Sequence, residues 1–165
     1  MRVGSLMTRK RCSMPELSES MVRYLTTVDH HDHEALVALD PETGEGVGVA
    51  RYVRDADDEK RAEAAVTVID DWQGRGLGTL LLELLAARAR EEGITRFTAL
   101  MLASNDEMME LLDSLGPVRI IDREAATVEV EAPLPAGGLS PELRRLLKLS
   151  AHTDAAVPLS GRLPT

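Results

Sequence analysis

Residues 62–78 read AEAAVTVIDDWQGRGLG, and the fold turns on this stretch. Ala62 to Ile69 is a nearly continuous apolar and β-branched run, the pattern expected of a central strand covered on both faces. Two acids and Trp72 follow, then a glycine-rich turn, Gln73-Gly74-Arg75-Gly76-Leu77-Gly78, that leads directly into a helical pattern from Leu77 to Glu92. Leu77, Leu81, Leu84 and Leu85 form one stripe on that helix, and Gly93 supplies its stop. A strand, a glycine turn and a helix start in this order can hold phosphate. The glycines let the backbone approach a ligand closely, and the first helical amides point N–H groups at an anion.

On the N-terminal side, Glu34 to Leu39 and Gly46 to Val53 read as two strands joined by a hairpin turn over Asp40–Gly46, with Pro41 and Gly44 as turn residues. Arg54 to Arg61 is a solvated connection. Further back, Leu17, Met21 and Leu25 lie one turn apart and predict a helix from Pro15 to Leu25, behind a basic lead-in over residues 1–14. On the C-terminal side, Ile94 to Leu102 reads as a second buried strand. Ser104 and Glu107 have the spacing of a capping box for a helix that ends at Gly116–Pro117. Val118 to Ile121 and Thr127 to Val130 read as a closing hairpin around Asp122–Glu124. The order β-β-β-α-β-α-β-β gives an α/β (α+β) sheet domain over residues 15–134. Residues 135–165 form a flexible tail with one short helix, capped by Ser140 and opened by Pro141.

Composition narrows the functions. The 165 residues are 44% hydrophobic and 28% charged, which suits one globular domain, and aromatics are only 2%, so Leu, Val, Ala and Met must build the core. The longest apolar run, Leu77 to Ala87, is broken by Gly78, Thr79 and Glu83, so no membrane partner is expected. With 19 basic and 28 acidic residues the net charge is −9, which argues against nucleic acid as a partner. The lone Cys12 leaves neither an internal disulfide nor a cysteine zinc site, and a cytoplasmic protein is expected.

Three phosphate-binding patterns compete for the glycine turn. A Walker A loop needs Gly-Lys-Ser/Thr, but no Lys stands before Thr79. A dinucleotide fold needs G-x-G-x-x-G and an acid at the end of the next strand; the third glycine comes one residue early, and that strand ends in Ala99-Leu100-Met101-Leu102. The third pattern fits. Gln73-x-x-Gly76-x-Gly78 resembles the Q/R-x-x-G-x-G/A signature of the GNAT superfamily of N-acetyltransferases, and the block Asn105-x-x-Met108-x-x-Leu111-Leu112-x-x-Leu115-Gly116 extends the likeness. TTVDHHDHEALVAL, GVGVARYVR and AEAAVTVIDDWQGRGLG are similar to the acetyltransferase module of bacterial Pat-type protein lysine acetyltransferases, over roughly residues 16–134.

The resemblance implies a mixed, mostly antiparallel sheet flanked by helices, and acetyl-CoA as acetyl donor, with no metal. It implies that the strand before the loop splays from the next strand and that the acetyl-pantetheine arm lies between them. The implied contacts are backbone groups of Val66 and Val68, the loop residues Gln73, Gly74, Arg75, Gly76, Leu77, Gly78 and Thr79, and the side chain of Asn105. A backbone donor near Val68 would stabilise the developing oxyanion. Glu63, ten residues before Gln73, stands where the family places its general base. A carboxylate among apolar neighbours holds a proton more readily than one in water, which suits it to accept one from an ammonium, directly or through water. The alternative for Glu63 is a solvent-facing strand residue.

Two departures accompany the likeness. The helix after Asn105 has no Tyr to protonate the leaving thiolate; Leu112 stands near that position. The strand and helix with which the family opens are not found ahead of Pro15, nor is a nucleotide-binding or ligase-like domain. His30, His31 and His33 beside Asp29 and Asp32 do not share one face of one element and read as loop residues, while Trp72 reads as packing. Met101, Met108 and Met109 read as core or pantetheine-lining residues, and nothing beside Cys12 marks an activated thiolate. The leading expectation is an N-acetyltransferase acting on an amine, either a protein lysine or a small molecule. The competing one is a catalytically weak acyl-CoA-binding or regulatory module.

Overall fold

A computed structural model describes residues 27–137 together with Pro141 and Arg145. The expected lead-in over 1–14 and helix over 15–25 lie outside the described residues. Of the tail helix only Pro141 and Arg145 are described, both helical.

Six strands form one sheet: β1 (His33–Leu39), β2 (Gly46–Arg54), β3 (Arg61–Val68), β4 (Arg96–Leu102), β5 (Arg119–Glu124) and β6 (Thr127–Pro133), in the order β1-β2-β3-β4-β6-β5. Every neighbouring pair is antiparallel except β3–β4. A parallel pair needs a crossover, which helix α1 (Leu77–Glu91) supplies. Helix α2 (Asp106–Asp113) connects β4 to the closing hairpin.

The core lies on one face of this sheet. Alternate residues point there: Ala50 and Tyr52 on β2, Ala62, Ala64, Val66 and Val68 on β3, Phe97, Ala99 and Met101 on β4, and Val128, Val130 and Ala132 on β6. They meet Leu81, Leu82, Leu85, Ala86 and Ala89 of α1 and Met108 and Leu112 of α2. With few aromatics, close approach replaces bulk. A Cβ on Gly48 would stand 3.0 Å from Leu81 Cδ1 and 3.4 Å from Leu77 Cδ2, so β2 and α1 touch there because the position is glycine.

Four expectations are corrected. β3 is buried on alternate residues only, because the described helices cover one face; Glu63 and Ala65 are half-buried and Thr67 is exposed. On α1 Leu82 is buried beside Leu81 and Leu85 in place of Leu84, which lies half-exposed at the margin of the stripe. The cap of α2 is Asn105, whose side chain accepts from Met108 N at 3.1 Å, one residue after the expected Ser104. The last hairpin turns at Ala125–Ala126, with Ala125 at φ 49°, two residues later than expected. β5 is exposed along its length, so no alternation marked where it ends. Gly93 does stop α1, at φ 83°, with Ile94 N donating to Ala89 O at 3.0 Å.

Candidate active site

The parallel register between β3 and β4 covers Arg61↔Arg96, Ala62↔Phe97 and Glu63↔Thr98, and then stops. Both strands continue, so they part beyond Glu63. Ile69 N donates to Val47 O on the β2 side, at 3.0 Å. The Val68 carbonyl must therefore point the opposite way, toward the gap, and by alternation the backbone N–H and C=O of Val66 and Val68 face it too. Gln73 Nε2 donates to Val68 O at 3.0 Å and ties the loop back to the end of β3.

A short 3₁₀ turn, Asp70–Trp72, leads into the loop. Gly74 and Gly76 hold φ 69° and 80°, left-handed values that glycine adopts without strain, and a Cβ on either would meet nothing within 4 Å. Gly76 caps α1 with no side-chain acceptor, and its first turn has no acid. The opening amides of α1 are thus left without intrahelical acceptors at the positive end of a 15-residue helix.

Loop and gap form one cleft of about 410 Å³. Val66, Val68, Gln73, Gly74, Gly76, Leu77, Gly78 and Thr79 line it, with Trp72 and, from α2, Glu107, Glu110 and Leu111. Three residues named from sequence are not in this lining. The Arg75 guanidinium sits 5.1 Å over the Trp72 ring. Asn105 caps α2. Glu63 occupies the last position of β3 that pairs with β4, at the apex where the two strands part. Sequence reading missed the α2 wall, although the spacing of Glu107, Glu110 and Leu111 marks one face of a helix. It also set Trp72 aside as packing, and the ring both packs on the core and lines the cleft.

The three histidines have separate partners: His30 Nδ1 meets Glu34 at 2.9 Å, His31 Nδ1 meets Glu92 at 2.5 Å, and His33 Nε2 meets Arg51 Nη2 at 2.9 Å. Tyr52, the only tyrosine among the described residues, is buried and its hydroxyl donates to His31 O at 3.2 Å. Burial pushes it up to about 12, which ill suits it to protonate a thiolate at neutral pH. His33 is 8% exposed, and burial, then the Arg51 charge, hold its pKa below the ordinary imidazole value. A histidine depressed in the folded state is protonated first in the unfolded chain. Its contribution to stability is complete above the unfolded value, about 6.5, and is lost as pH falls below it. Urea midpoints should therefore drop between about pH 7.5 and 5.5, and the drop should be smaller in His33→Gln.

A mixed sheet whose one parallel pair parts beside a glycine loop and a helix N-terminus is the architecture of the CoA-dependent N-acetyltransferases. The model of the Acetyltransferase (GNAT) family matches residues 6–116, and the chain belongs to that family. It is 35% identical over 126 residues to acetyltransferase Pat of Mycolicibacterium smegmatis, covering 76% of this chain and 38% of that protein. It is 35% identical over 114 residues to acetyltransferase PA5475 of Pseudomonas aeruginosa, covering 68% of this chain and 61% of that protein. The chain thus spans less than two thirds of either relative. Among solved structures, the GNAT domain of S. lividans PAT matches with a TM-score of 0.64 at 35% identity, over 72% of this chain and 70% of that one. No helix among the described residues is long and apolar enough to cross a membrane.

Proposed function

We propose that this chain transfers an acetyl group from acetyl-CoA to an amine, with a protein lysine as acceptor, in the cytoplasm. The parting of β3 from β4 beside the glycine loop carries this reading, because it puts strand amides and helix amides along one cleft. The amides from Gly74 to Thr79 take the pyrophosphate, with Gln73 fixing the loop and Arg75 adding a cation at its rim. The gap-facing backbone of Val66 and Val68 takes the pantetheine arm, and the side chain of Asn105 borders it. A backbone N–H near Val68 stabilises the oxyanion. The neutral amine attacks the thioester carbonyl, the C–S bond breaks, CoA leaves as its thiolate, and Glu63 accepts, directly or through intervening water, the proton the nitrogen gives up. The names of the two relatives support acetyl transfer, and the likeness to Pat-type modules supports lysine as acceptor.

One observation favours a second reading, a weakly catalytic acyl-CoA-binding module. Leu112, near the position of the family's tyrosine, is fully buried in the core and offers no proton. Labelled acetyl-CoA presented with lysine-containing proteins and with small amines separates the two. Transfer to lysine, located by mass spectrometry, is expected. Binding of acetyl-CoA without transfer to any acceptor would establish the module instead.

A further inference from the structure

Among the described residues that line the cleft, the charged ones are both acids, Glu107 and Glu110 on α2. A ligand bearing several phosphates therefore meets amides at the start of α1 but no cation within the lining. The loop's cation is Arg75. Its backbone runs between Gly74 and Gly76, which line the cleft, yet its side chain is exposed and lies outside that lining. There the guanidinium sits 5.1 Å over the ring of Trp72, which packs on the core and lines the cleft as well. The indole thus holds a positive charge at the rim, on the loop side of the cleft. We propose that Arg75, anchored by Trp72, recognises the 3′-phosphate of the CoA adenosine and sets a preference for acetyl-CoA over donors that lack that phosphate.

The inference rests on acetyl-CoA as donor. In that reading the pantetheine arm enters the gap between β3 and β4, and the amides from Gly74 to Thr79 take the pyrophosphate. The pyrophosphate joins pantetheine to adenosine, so an arm directed inward leaves the adenosine and its 3′-phosphate beyond the loop, at the rim. Repulsion from Glu107 and Glu110 disfavours laying a terminal phosphate along α2 and favours the loop side. The chemistry of the anchor fits this task. Arg54, Arg61, Arg88 and Arg96 are each bound by carboxylates, whereas among the described residues no carboxylate pairs with Arg75. An aromatic ring attracts a guanidinium through its quadrupole without cancelling the charge, and leaves its fork of N–H donors uncommitted to a carboxylate. That fork matches a phosphate, which accepts two parallel N–H bonds from it. Holding the side chain on the ring beforehand also reduces the rotamer freedom lost when the phosphate arrives.

Calorimetric titration with acetyl-CoA and with acetyl-3′-dephospho-CoA tests the proposal. The wild type should bind acetyl-CoA about tenfold more tightly, the scale of one hydrogen bond to a charged group. Arg75→Met keeps the apolar stem and removes the charge. In it the two ligands should bind alike, within about twofold, with the loss falling on acetyl-CoA. Trp72→Leu leaves the guanidinium without its ring. The preference should then narrow to about two- to fourfold, whatever the change in the cleft wall does to both affinities together. If Trp72→Leu does not fold, judged by loss of the cooperative melt, Trp72→Met, which keeps more of the volume, decides the anchor by the same ratio. Equal affinity of the wild type for the two ligands overturns the proposal and leaves acetyl-CoA as donor intact. So does an equal loss for both ligands in Arg75→Met, which would assign the guanidinium to the pyrophosphate. An undiminished preference in the Trp72 variant overturns the anchor. Failure of the wild type to bind either ligand overturns the acetyl-CoA reading and this inference with it.

Discussion

Gly76→Asp is expected to abolish acetyl-CoA binding while leaving the domain folded. For the wild type, acetyl-CoA at about 100 times its dissociation constant should add about 2.7 kcal/mol of stability, because it binds only the folded state. In a domain of this size that is a rise in Tm of roughly 5–10 °C. Gly76 sits at φ 80°, where Asp and Asn are the side chains best tolerated after glycine, and a Cβ there meets no protein atom within 4 Å. The side chain therefore fits the fold and projects into the cleft, where its carboxylate would face an anion at the helix start. Gly76→Asn places nearly the same volume with no charge, so it should weaken the shift without removing it. Calorimetry showing equal affinity in wild type and Gly76→Asp would remove the loop from the binding site.

Glu63→Gln should separate binding from chemistry. The amide keeps the size of the side chain but cannot accept a proton, so turnover should fall by about 10²–10⁴-fold, the usual contribution of a positioned acid or base. Acetyl-CoA affinity should hardly change. Glu63 lies at the apex of the splay, outside the cleft lining, and five residues of strand, about 16 Å, separate it from Val68 at the loop end. At low pH the wild-type rate should depend on two ionisations, that of Glu63 and that of the acceptor ammonium. The variant should keep only the second, so the slope of log kcat/KM against pH halves at its acid end. Full activity with an identified acceptor would return Glu63 to a structural role and leave the base unassigned.

Much of this was legible in local chemistry. Strand, turn and helix between Ala62 and Glu92 are readable because glycine, β-branched residues and a leucine stripe act over one or two turns of chain, and Gly93 ends the helix for the same local reason. The loop residues follow, since left-handed backbone at Gly74 and Gly76 is a property of those residues themselves. Residues whose roles depend on distant partners were not legible. That β3 is covered on one face by the described helices reflects where α1 and α2 pack, which Ala65 and Thr67 cannot announce. The fully exposed β5 had no pattern to read. The α2 wall of the cleft and the meeting of Arg51 with His33, 18 residues apart, exist only once strands are set in register. Sequence by itself thus determined the family, the order of elements and the glycine loop with its left-handed turns, because short-range backbone preferences encode them. Tertiary structure alone decided where β3 leaves β4, which face Glu63 shares and with whom, because pairing register and helix packing are set by contacts between segments far apart in the chain.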